Sequence, residues 1–189
     1  MRRLPVIALL LLLAAGCSEP PQKELDQAQG AVDAARAAGA DKYAQDEYSA
    51  ATTALQKAHD SVAQRDYRQA LSYALDARER AQEAARQAAD GKARARSAAE
   101  AQISDISTRV QQLEARIKSA EAAHVPARDL RPSRATLTQA RTALQKARTA
   151  FESGDYLGAS QALDGSREKI DATTRQVAAD AQRSARKRK

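Results

Sequence analysis

Alanine set at helical spacing is the feature that most narrows what this chain can become. Tyr67, Ala70, Ala74, Ala77, Ala81, Ala84 and Ala88 follow one another at alternating steps of three and four residues, the period of a single stripe along an α-helix. Ala makes up 46 of the 189 residues, while Gly, Pro, Met, Phe and Cys together number 15 and Trp is absent. Strands need β-branched and aromatic residues, and a catalytic α/β domain needs glycine at its turns and a large aliphatic core. The chain therefore reads as all-α, an elongated antiparallel helical bundle.

The stripes recur. Residues 48–70 laid over 137–159, an offset of 89, align Leu55-Gln56-Lys57-Ala58 with Leu144-Gln145-Lys146-Ala147, and Asp66-Tyr67 with Asp155-Tyr156. The stripe Tyr48, Ala51, Leu55, Ala58, Val62 returns as Leu137, Ala140, Leu144, Ala147, Phe151. The stripe from Tyr67 returns in a third helix as Tyr156, Ala159, Leu163, Ser166, Ile170, Thr173 and Val177, and Leu25, Ala28, Val32, Ala35 mirror Val110, Leu113, Ile117, Ala120. This spacing predicts two tandem three-helix units, 23–90 and 103–182, made by internal duplication and joined by a helical connector over 91–102.

Breakers mark the joints. Gly39 suits a left-handed C-terminal cap, and Pro126 and Pro132 interrupt the chain after His124. Asp66 and Asp155 each precede a third helix and serve as helix caps, worth about 0.5–2 kcal/mol apiece. From Tyr67 to Ala123 there is no Pro and only Gly91, so one continuous helix is expected to join the units, its 57 residues reaching about 85 Å. The competing reading places a turn at Asp90-Gly91, which would fold the second unit back and return the C-terminus to the N-terminal end.

The cores are thin. From Cys17 onward there are ten Leu, four Ile, five Val and one Phe, so alanine stripes must let helices approach closely while burying little area per residue. Intrinsic helix propensity carries much of the structure, and the same stripes offer a route to self-association.

The first 17 residues read differently. Arg2 and Arg3 precede an apolar stretch from Leu4 to Leu13, too short to span a membrane as a stop-transfer helix, so residues 1–16 are a signal peptide. The single cysteine, Cys17, follows Leu13-Ala14-Ala15-Gly16 and resembles the lipobox of bacterial lipoproteins. That resemblance implies an acylated Cys17 as the first mature residue, with residues 17–22 a lipidated linker. Ser18, where inner-membrane sorting signals carry Asp, points by analogy to the periplasmic face of the outer membrane. A plain secretory peptide with an incidental thiol is the other reading.

A second resemblance lies within residues 31–90. Gly39-Ala40, Tyr43-Ala44, Glu47, Ala51, Leu55, Ala58, Asp66-Tyr67 and Ala70 look like the bacterial lipoprotein family called domain of unknown function 4398. The likeness implies an envelope lipoprotein, assigns no activity and brings no catalytic residues. The later copy diverges, with Pro132 where Tyr43 stands. Asp-Tyr turns also occur in tetratricopeptide hairpins, but those recur about every 34 residues.

Motifs that carry chemistry are missing. His59 and His124 lack the paired spacing of a metal site, and there is no nucleophile elbow, no glycine-rich phosphate loop and no cofactor signature. Asp46-Glu47 and Glu79 with Glu83 sit among arginines, where ion-paired solvent faces are the default. Tyr43, Tyr48, Tyr67, Tyr73 and Tyr156 occupy helical stripes and read as packing residues rather than base-stacking platforms. The net charge of +7 has two sources. Arg2 and Arg3 leave with the signal peptide, and Arg183, Arg186, Lys187, Arg188 and Lys189 form a basic tail over 183–189, leaving 17–182 balanced. Nucleic acid is therefore not an expected partner.

The expectation is a noncatalytic cell-envelope lipoprotein: Cys17 in the membrane, a helical spacer or scaffold, and a tail that contacts peptidoglycan or another anionic polymer. Arg188-Lys189 also resembles the end of the major outer-membrane lipoprotein, whose terminal Lys is joined to peptidoglycan. The alternative is a periplasmic adaptor that binds a partner protein or peptide in an interhelical groove, with Tyr43, Tyr48 and Tyr73 exposed.

Overall fold

A computed structural model describes residues 19–186. Cys17 and the last three tail residues, Lys187, Arg188 and Lys189, lie outside them, as do residues 1–16, the expected signal peptide. Every regular element among the described residues is a helix: α1 (Gln22–Ala37), α2 (Ala40–Tyr43), α3 (Gln45–Ala63), α4 (Tyr67–Ala122), α5 (Ala127–Glu152), α6 (Tyr156–Ala162) and α7 (Ser166–Arg186). The chain divides into two compact units between Gly91 and Lys92, and each unit is a helical bundle that packs its other helices on its own part of the long α4.

α4 runs unbroken through Gly91 for 56 residues. A run of Ala, Arg, Gln and Glu outweighs one glycine, whose cost is about 1 kcal/mol. The structure also gives that glycine a reason. A Cβ on Gly91 would stand 2.7 Å from the backbone oxygen of Tyr43 and 3.1 Å from its Cβ. Gly91 is the place where α4 meets the exit of α2 at backbone distance.

In the first unit, α1 and α3 run antiparallel, with Arg36 donating to the Tyr48 hydroxyl at 2.8 Å. α3 and α4 do the same, with Lys57 over the Tyr73 ring and Arg80 3.5 Å from Glu47. Leu25, Ala28, Val32 and Ala35 of α1 are buried, and Ala74, Ala77, Ala81, Ala84 and Ala88 of α4 are fully so. Gly39 ends α1 in the left-handed region at φ 87°, its N–H donating to the Arg36 carbonyl, and its own carbonyl then starts α2.

In the second unit, the apolar stripe Ile106, Val110, Leu113, Ile117 of α4 packs with Leu130, Leu137 and Leu144 of α5 and with Ile170 and Val177 of α7. Two expectations are corrected here. Pro126 does stand before a helix, but Pro132 lies inside α5 and does not interrupt it. Standing in the second turn, it removes the donor that would meet the Arg128 carbonyl and crowds that carbonyl, so its cost falls on the first two turns and leaves the rest of the helix intact. The third helix of this unit is divided, with Leu163–Gly165 separating α6 from α7 and Gly165 at φ 68°. Gly158, Asp164, Gly165 and Ser166 are all weak helix formers, yet Leu163 within the gap and Ile170 beyond it stay buried.

Candidate functional site

Three joints share one backbone solution. α3 ends with Arg65 at φ 59°, α4 with His124 at φ 58° and α5 with Gly154 at φ 82°. After each, the next residue donates back to the carbonyl five positions earlier: Asp66 to Ser61, Val125 to Ala120 and Asp155 to Ala150. At two of these joints that same residue is the aspartate that opens the next helix. Asp66 Oδ1 accepts from the Gln69 N–H at 3.0 Å, and Asp155 Oδ1 from the Gly158 N–H at 3.1 Å. One short turn thus ends a helix and starts another, with the following Tyr67 or Tyr156 as its first helical residue. Arg65 and His124 hold their left-handed conformation at a cost glycine does not bear.

At the C-terminal end, Asp180 is 6% exposed, an unusual place for a carboxylate. Arg183 pairs with it and Gln176 Nε2 donates to it at 3.0 Å. Arg183 is therefore partly committed to helix α7, whereas Arg186 is exposed and has no ion pair among the described residues.

A charged cluster that spacing alone does not reveal ties α4 to α7. Asp105 accepts from Arg109 Nε at 2.9 Å and from Arg167 at 3.0 Å, and Arg109 reaches on to Asp171 at 2.5 Å. The hydrogen bond from Arg109 holds the Asp105 carboxyl below its ordinary value, opposed by partial burial and reinforced by Arg167. The Arg109 guanidinium is correspondingly raised, first by Asp105 and then, against desolvation, by Asp171. The i,i+4 pair Asp105 and Arg109 was visible in sequence, but its partners 62 residues away depended on the fold. Beside it lies an open cavity of about 500 Å³ lined by Ala101, Gln102, Asp105, Leu163, Gly165 and Glu168.

Tyr43, Tyr48 and Tyr73 are half-buried and pack against the first core. Phe151 and Tyr156 meet across the α5–α6 joint with ring centroids 5.2 Å apart and planes tilted by 59°. His59 is exposed on α3, and no group of three potential metal ligands occurs among the described residues. Division at Gly91 also resolves the balanced charge of the body into opposite parts. Residues 19–91 hold 13 acidic and 9 basic side chains, whereas 92–182 hold 11 acidic and 15 basic, to which the tail over 183–189 adds five more bases. No described helix is long and apolar enough to cross a membrane. Among known proteins, no curated sequence and no solved structure matches the chain. Residues 23–101, which run from the first turn of α1 into the start of the second unit, match a family model described as Domain of unknown function (DUF4398).

Proposed function

We propose that this chain is a noncatalytic lipoprotein of the cell envelope, anchored through Cys17 at the periplasmic face of the outer membrane and serving as a helical spacer or scaffold. The observation that carries the reading is the order Arg2-Arg3, Leu4 to Leu13, Ala14-Ala15-Gly16-Cys17 ahead of a helical body in which no described helix is long and apolar enough to cross a membrane. An acylated N-terminus is then the membrane attachment, and two or more chains hold far better than one, each buried CH₂ contributing about 0.8 kcal/mol. The match to a domain of unknown function is consistent with this reading and names no reaction. The excess of bases in residues 92–189, ending in Arg183, Arg186, Lys187, Arg188 and Lys189, favours contact with peptidoglycan or another anionic polymer at that end.

The anchor is tested by metabolic labelling with an alkyne fatty acid and membrane fractionation of the full chain against Cys17→Ser. Label and membrane association are expected only with Cys17; an equally membrane-bound serine variant would overturn the reading. Covalent attachment at the tail is tested by digesting detergent-boiled sacculi for peptides from residues 167–182, whose absence removes it. Crosslinking and co-purification of the full chain and of one ending at Gln182 separates wall contact from the adaptor reading, since protein partners retained by the shortened chain support the adaptor.

A further inference from the structure

The first unit exposes two large apolar side chains on the outer face of α4, Leu71 at 38% and Leu75 at 41%. Their position in the unit decides what covers them. Arg36 on Tyr48 puts the end of α1 beside the start of α3, and Lys57 on Tyr73 puts the end of α3 beside the start of α4. The starts of α1 and α4 therefore share one end of the unit with the Gln64–Asp66 turn. Leu71 and Leu75 lie one and two helical turns in from that end.

Cys17 precedes Gln22 by five residues, which reach at most about 18 Å when fully extended. Acyl chains on Cys17 must keep this same end within that distance of the bilayer. Charges around it are mixed: Lys23, Arg65 and Arg68 stand against Glu19, Glu24, Asp26 and Asp66. No cationic excess is present to select anionic headgroups, so the attraction available is apolar.

Resting on the anchored reading above, we infer that the first unit does not hang free on its linker but docks on the phospholipid surface. Leu71 and Leu75 enter the interfacial region, and the contact is insensitive to salt. The bilayer is the occupant because the tether ends where the leucines are. A second copy of the chain is the competing occupant.

The chain has no Trp, so single tryptophans report their own surroundings. Leu71→Trp, Leu75→Trp and Ala89→Trp are each placed in the lipidated full-length protein and reconstituted in phosphatidylcholine vesicles with brominated acyl chains. Ala89 is exposed on the same face of α4, 18 residues or five turns farther on, and serves as the control. Emission from positions 71 and 75 is expected to shift to the blue and fall about twofold, unchanged in about 0.5 M salt, with little change at 89. Protein that floats with vesicles but shows no quenching at 71 or 75, or equal quenching at 89, overturns the docking and leaves the anchor standing. Protein that fails to float overturns the anchor and the docking with it. A blue shift that rises with concentration in unlipidated Cys17→Ser chains assigns the stripe to a second copy and overturns the bilayer contact.

Discussion

Among the described residues, Ala supplies twelve of the fifteen buried residues in the first core, with only Leu25, Val32 and Leu55 larger. In the second core Ala supplies three of fourteen, and the rest are Leu, Ile and Val. Both units place helices around α4, yet they depend on different terms. An alanine core brings backbones together, as Gly91 against Tyr43 shows, and draws on helix propensity more than on buried area. A leucine core buries more apolar surface per residue, and here it stays continuous across the Leu163–Gly165 break, with Leu163 and Ile170 both in it. The same contrast extends to charge, the first unit being acidic on balance and the second basic.

The largest effect should come from removing bulk in the second unit. Leu130→Ala, at a side chain with no exposure, should cost about 2–5 kcal/mol in chemical denaturation monitored by circular dichroism. The matching operation in the first unit is addition. Ala81→Leu, also at zero exposure and in the core shared with residues of α1 and α3, should cost about 1–3 kcal/mol because the added bulk has no room there. An Ala81→Leu variant as stable as the parent would show that the first core is looser than its alanine stripe implies, and would remove the distinction drawn between the units.

Two glycines sharpen it further. Helix propensity alone favours Gly→Ala in any helix by about 1 kcal/mol. Gly30 on α1 has nothing within 4 Å of a built Cβ, so Gly30→Ala should gain that amount. Gly91→Ala should instead lose about 1 kcal/mol or more, because the group in the way is the Tyr43 backbone oxygen, which cannot rotate aside. Equal gains at both positions in thermal melts would place Gly91 outside the packing.

How much of this was legible in the sequence follows the same division. The alanine stripes of the first unit gave its buried residues almost directly, because a period of 3.6 with one small residue type leaves few ways to pack. The unbroken α4 was legible for the same reason. Pro132 and the α6–α7 break were not, since a proline in the second turn of a helix and a glycine after a buried Leu163 are decided by tertiary packing around them. Gly91 read as a weakness in α4, because its reason lies across space in Tyr43. Of the candidate site residues, the backbone bonds accepted by Asp66 and Asp155 can be described, and Arg183 joins Asp180. Cys17, Lys187, Arg188 and Lys189 lie outside the described residues.

The smallest expected difference is one of pH. Asp105, held below its ordinary value first by the Arg109 hydrogen bond and then by Arg167, is stabilising only while ionised. Its contribution is complete above the unfolded carboxylate value of about 4 and is lost as pH falls through the lower folded value. A third of its side chain remains exposed, so the effect should stay within about 1 kcal/mol, the range of partly solvated ion pairs. Asp105→Asn should therefore lower stability at neutral pH slightly and flatten the acid limb of the denaturation profile below about pH 4.5. Salt should reduce the neutral-pH difference between the two chains, whereas the Leu130→Ala difference should persist in salt. An acid limb of equal steepness in Asp105→Asn would mean that the α4–α7 ion cluster is a surface arrangement with no share in holding the second unit together.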